Sequence, residues 1–142
     1  MAAHKSKLHR LLASLTPGEL EILDAYIGVP FLNRSRKAEA LYRTLRPYFP
    51  ETGDTEEITR EAMFAAVFPD QPYQDNKLSN LMTTLGRIIE QFLAWQLYQE
   101  DKTLQQRMRL RALQTRPGLE DDFVRSWQKV YKKWQKAATM DP

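Results

Sequence analysis

Cysteine is absent from this chain, and that removes disulfides, thiolate nucleophiles and thiolate metal sites at once. A reducing, cytoplasmic setting is the expectation that follows. Histidine is scarce too: His4 and His9 are the only two, both within the first ten residues, with no carboxylates spaced to support a catalytic or metal-binding pair. There is no phosphate-binding glycine loop, no Gly-x-Ser-x-Gly and no His-Glu-x-x-His. A non-enzymatic protein without metal or cofactor is expected. Long apolar runs are missing as well. Lys5, Lys7 and Arg10 are followed by Leu11-Leu12-Ala13, which gives way to Ser14 and Thr16-Pro17-Gly18, so neither a signal peptide nor a membrane span is readable. No segment alternates with period two for long enough to suggest a strand, and no repeat of constant length occurs.

What remains is the composition of a folded helical protein. The 142 residues are 42% hydrophobic and include three tryptophans, Trp95, Trp127 and Trp134, which is bulky core material for one domain spanning 1–142. The net charge of +3 is small, so its distribution matters more. Residues 49–76 hold one basic and seven acidic side chains, while 77–116 hold seven basic and three acidic. An acidic middle separates basic regions, as solvated helix faces or a surface for an anionic or mixed-charge ligand would give.

Helical spacing and caps place the elements. Leu8, Leu11, Leu12 and Leu15 form an apolar stripe on a first short helix. Thr16-Pro17-Gly18-Glu19 reads as a capping box with proline in the first turn, and Gly28 and Pro30 are expected to end that second helix through a left-handed cap. Asn33-Arg34-Ser35 offers a cap for a third helix, closed by Pro47 and Pro50, and the acidic stretch from Pro50 to Glu57 reads as a loop. Thr59 caps a fourth helix with Ile58 as a staple to Met63. Asp75 caps a long fifth helix carrying Leu78, Leu81, Met82, Leu85, Ile88, Ile89, Phe92 and Trp95, which Gln99 to Lys102 bend or break. Pro117-Gly118 stops the next segment, and a last helix from about Leu119 to Ala137 is expected to bury Phe123, Trp127, Val130, Tyr131 and Trp134. The prediction is all-α: a compact bundle of six or seven helices with a long central helix.

Two surfaces are candidates for function. Thr59 to Phe68 and Asp75 to Tyr98, joined by Pro69 to Gln74, make a helix-turn-helix-like hairpin. Asn76, Asn80, Thr83 and Arg87 share the polar face of its second helix, and Asn and Arg are the side chains that read adenine and guanine edges. Asp70 and Asp75 at the mouth of that helix oppose phosphate, and the face lacks the density of cations that phosphate tracking needs. On the last helix Arg125, Lys129, Lys132 and Lys136 form a basic face beside the stripe containing Trp127 and Trp134. That stripe reads as core, or, if no further helix covers it, as a partner-binding patch. Arg107, Arg109, Arg111 and Arg116 add positive charge but are spaced to point in different directions. Glu56-Glu57 and Asp121-Asp122 are accounted for by a loop and by a helix start. Gly86 interrupts a good helix, which asks for the close approach of a neighbour.

The blocks Leu15-Thr16-Pro17-Gly18-Glu19-Leu20, Val29-Pro30-Phe31-Leu32-Asn33, Phe68-Pro69 and Asp75-Asn76-Lys77-Leu78-Ser79-Asn80-Leu81-Met82 follow one another in that order. They resemble the N-terminal region of a family of uncharacterised, all-helical bacterial proteins. The resemblance implies a cytoplasmic helical domain that is one end of a larger assembly, with no activity or site residues attached to it. The expected role is a helical protein-protein interaction module, whose partner is another protein or further helices of a longer assembly. The alternative is a helix-turn-helix nucleic-acid-binding domain reading through the helix that starts near Asp75; no membrane is expected as a partner.

Overall fold

The computed structural model of the chain describes residues 6–50 and 58–140. His4 and nearly all of the loop expected at 50–57 lie outside the described residues. Within them the fold is all-α, as the periodicities predict, with seven helices and no strand: α1 (Lys7–Ala13), α2 (Pro17–Tyr26), α3 (Arg36–Leu45), α4 (Arg60–Val67), α5 (Asp75–Glu100), α6 (Lys102–Gln114) and α7 (Glu120–Met140). A short 3-10 turn, Arg46–Tyr48, follows α3. No helix among the described residues is long and apolar enough to cross a membrane. The chain divides into two compact units, Met1–Ala94 and Trp95–Pro142.

The first unit starts where its caps dictate. The Glu19 amide donates to Thr16 Oγ1 at 3.1 Å and the Thr16 amide to Glu19 Oε1 at 2.9 Å, so the box satisfies two amides that the first turn of α2 leaves without helical partners. Ser35 caps α3 by accepting from the Ala38 amide at 3.1 Å, and Thr59 caps α4 by accepting from the Ala62 amide at 3.0 Å. Ser6 plays the same part for α1. The end of α2 differs from the expected glycine cap: Ile27 occupies the cap position in right-handed geometry, and positive φ among the described glycines occurs only at Gly118. The turn is fixed instead by buried Asn33, whose Nδ2 donates to the Ile27 carbonyl at 2.9 Å while its Oδ1 accepts from the Ser35 amide at the same distance. One side chain thus closes α2 and positions the cap of α3.

The apolar faces of these helices share one core. Leu12, Leu20, Leu23, Ile27, Leu41, Tyr42, Phe64, Leu78, Leu85, Ile89 and Phe92 are essentially inaccessible, and the core cluster runs from Leu8 to Phe92. Ile58 is half-buried against it, as a staple requires. Asp24 ties α2 to the end of α3: Tyr42 Oη donates to its Oδ1 at 2.6 Å and Arg46 Nε at 2.9 Å, with Arg43 donating to the Asp24 carbonyl at 2.9 Å. Gly86 is buried in the middle of α5, and a Cβ added there would lie 3.7 Å from Leu11 Cδ1, an ordinary contact. A leucine side chain of α1 approaches it, not a neighbouring backbone.

The second unit is a helical hairpin. The break expected between Gln99 and Lys102 falls at Asp101, whose carboxylate accepts from the Leu104 amide at 2.9 Å and so caps α6. Gln105 reaches back to donate to the Tyr98 and Gln99 carbonyls at 2.7 and 2.8 Å, satisfying acceptors at the end of α5. After α6, Pro117 and Gly118 turn the chain, with Gly118 at φ 89° where only glycine is unstrained. Glu120, Asp121 and Asp122 occupy the first turn of α7, where the helix dipole favours carboxylates. Leu110 is the buried hydrophobic residue of this unit among the described side chains. The expectation that Trp95, Trp127, Tyr131 and Trp134 are core residues is therefore corrected: all four are exposed, while Phe123 and Val130 are half-covered. The stripe has the right period, but a two-helix hairpin covers only part of an apolar face that wide.

Candidate functional site

The polar face of α5 is organised by one arginine. Arg60 opens α4, and its guanidinium reaches the start of α5, where Nε donates to Asp75 Oδ1 at 2.9 Å and Nη2 to Ser79 Oγ at 2.7 Å, while Nη1 lies 3.5 Å from Met82 Sδ. Tyr73 Oη also donates to Asp75 Oδ1. The hydrogen bonds from Tyr73 and Arg60 hold the Asp75 carboxyl below the usual carboxylate range, and the hydrogen bonds to Tyr73 and then Asp75 raise Arg60. Asp75 is thus the first residue of α5 and an acceptor for Arg60, in place of the capping role expected for it. The hairpin that resembles a helix-turn-helix is fastened by a charged cross-link, and its turn, from Phe68 to Gln74, is longer than the three or four residues of that motif.

Asn76, Asn80, Thr83 and Arg87 all lie exposed on α5. Thr83 and Arg87 line a cleft of about 310 Å³ together with Lys7, Arg60 and Glu90, which Ser6 and Leu8 of the α1 end also border. Asn76 and Asn80 stand outside it. Lys7 pairs with Glu90 at 3.3 Å, Thr83 Oγ1 donates to the Ser79 carbonyl at 3.1 Å, and Ser6 accepts from the His9 amide. The chain around α1 therefore borders half of the set of four. His9 itself is buried, with its ring edge-on to Phe49 at 5.5 Å, a core position.

The α6–α7 hairpin carries the larger opening. Val124, Trp127, Tyr131 and Trp134 are 47%, 40%, 47% and 38% exposed, and they recur along α7 at intervals of three, four and three. This is the spacing of a coiled-coil seam. Trp127 stands at its centre, 5.7 Å from the ring of Tyr131 and 6.1 Å from that of Trp134, which lies nearly perpendicular at 88°. The two tryptophans form one wall of a cleft of about 390 Å³ whose other wall is α6, with Arg107, Met108 and Arg111. Met108 is 42% exposed, and Arg107 and Arg111 pair with no carboxylate among the described residues.

The structure sorts the residues singled out in the sequence. It brings Trp127 and Trp134 together but places none of Arg125, Lys129, Lys132 and Lys136 at the cleft; Arg125 bonds Asp122 of its own helix at 2.8 Å. The cations of the cleft come from the other helix. Arg107 and Arg111, read from sequence as part of a scattered set, stand one helical turn apart and meet there, and their four-residue spacing is the signal that finds them. Nothing comparable marks Arg60, whose role depends on a contact across nineteen residues. No group of three or more His, Cys, Asp or Glu side chains able to hold a metal ion occurs among the described residues. No protein-family model, curated protein or solved structure matches this chain, so its function is read from its geometry.

Proposed function

We propose that this chain is a non-enzymatic, helical protein-interaction module that engages its partner through the α6–α7 cleft and the aromatic seam of α7. The observation that carries the reading is that seam: four large apolar side chains at heptad spacing, open to solvent on a helix none of whose described side chains is buried. Isolated exposed apolar residues are ordinary, whereas a contiguous row beside a cleft is what protein contacts use. The three aromatics leave roughly 250 Å² uncovered, on the order of 6 kcal/mol of gross burial for a partner that covers them. That is comparable with the cost of association, so the aromatics anchor binding and the cleft rim adds to it.

Duplex binding through α5 finds less support. It would use Asn76, Asn80, Thr83 and Arg87 together, and the last two share their cleft with the α1 end and with the carboxylate of Glu90. A photoreactive amino acid placed at Val124 or Tyr131, with Lys129 as the control position, tests the proposal in cells that make the protein. Protein adducts that form from the two seam positions and not from Lys129 are expected. Adducts with nucleic acid, or protein adducts equal at all three positions, would contradict it.

A further inference from the structure

The charge of the hairpin defines the chemistry of what fills the cleft. From Lys102 to Leu119 and from Phe123 to Met140 there are ten lysines and arginines and no acidic residue. The carboxylates of the hairpin stand instead at its helix starts, where Asp101 caps α6 and Asp122 bonds Arg125. Within the cleft the cations are Arg107 and Arg111, and they have no carboxylate partner among the described residues. An arginine pair one turn apart presents two forked donors that match carboxylates on a facing helix.

We infer that the occupant of the α6–α7 cleft is an acidic amphipathic helix, which lays apolar side chains on the Val124-Trp127-Tyr131-Trp134 seam and carboxylates against Arg107 and Arg111. This rests on the protein-interaction reading and goes further by fixing the partner's shape and sign. The heptad spacing of the seam suits a helix, because side chains of a second helix meet it every third and fourth residue. The perpendicular tryptophans resemble the walls of a cage for a quaternary ammonium, but two arginines line the same cleft and repel a cation. A flat anionic membrane has no ridge to enter a cleft between two helices. Single-stranded nucleic acid needs ring faces open for stacking, and Trp127 turns one toward Tyr131 at a 34° tilt.

The test uses the full chain and three synthetic helical peptides of about three heptads, with leucine at the seam positions and glutamate, glutamine or lysine elsewhere. An oligothymidine and phosphatidylglycerol vesicles complete the set. Tryptophan emission reads binding. The glutamate peptide is expected to bind at least about tenfold more tightly than the glutamine peptide, with no binding of the lysine peptide, as loss of two charge-assisted contacts implies. R107E/R111E should abolish that preference while circular dichroism and melting temperature stay unchanged, since both side chains are exposed. Equal binding of glutamate and glutamine peptides would overturn the acidic partner and leave the interaction module standing. Binding of the oligonucleotide or the vesicles with no peptide bound would overturn both, and binding of nothing would overturn the inference.

Discussion

Asn33 is 3% exposed and makes every hydrogen bond its place in the α2–α3 turn allows, to Ile27, to the Ser35 amide and, at 3.3 Å, to the Ser35 carbonyl. Asn33→Ala leaves the buried Ile27 carbonyl and the part-buried Ser35 amide without these partners, so a loss of about 2 kcal/mol is expected in chemical denaturation, well above the cost of an exposed substitution. Tyr42 makes an expectation about pH. Burial, then the hydrogen bond to Asp24 and its charge, push the Tyr42 phenol far above the ordinary value of 10.0. A group raised on folding contributes stability that is fully present below its unfolded value and lost as pH rises through the folded one. Stability should therefore fall with pH from about 10 upward, and Tyr42→Phe should flatten that fall while costing about 1 kcal/mol at neutral pH. An equally steep alkaline fall in the variant would show that another group carries it.

At the scale of elements, Gly86 separates propensity from packing. A Cβ there meets Leu11 at ordinary contact distance, so Gly86→Ala should stabilise α5 by up to about 1 kcal/mol, and Gly86→Leu should destabilise by pressing α1 away. A melting temperature raised by both substitutions would mean that α1 does not pack there. The helices themselves were legible: the Thr16 box, the Thr59 cap and the three-and-four spacing of α5 are local signals, and each predicts an element that the structure contains. The ends were less so, because what closes α2 is a side chain six residues away, and no local pattern announces that Asn33 turns inward. Burial on α7 was misread for a different reason. Period 3.6 reports that an apolar stripe exists, not whether the molecule has a second layer to cover it. For the same reason the sequence pairs the α7 lysines with the tryptophans, although the arginines that share their cleft come from α6.

The whole chain distributes its material unevenly. The core cluster, with its caps, its Asp24 network and its Arg60 cross-link, belongs to Met1–Ala94, whereas Trp95–Pro142 holds two of the three tryptophans on an open helix and an excess of lysine and arginine, ten against six acidic residues. Little buried apolar surface and an excess of positive charge are the features of this unit on which the proposed interaction role rests. The most direct test of that account is acrylamide quenching of the variant W95F/W134F, in which Trp127 is the only tryptophan, on protein shown to be monomeric by sedimentation. Emission at long wavelength with efficient quenching is the expected result, followed by a blue shift and protection when the glutamate peptide binds. Blue-shifted, quencher-resistant emission from the free monomer would contradict the account, since the seam would then already be covered.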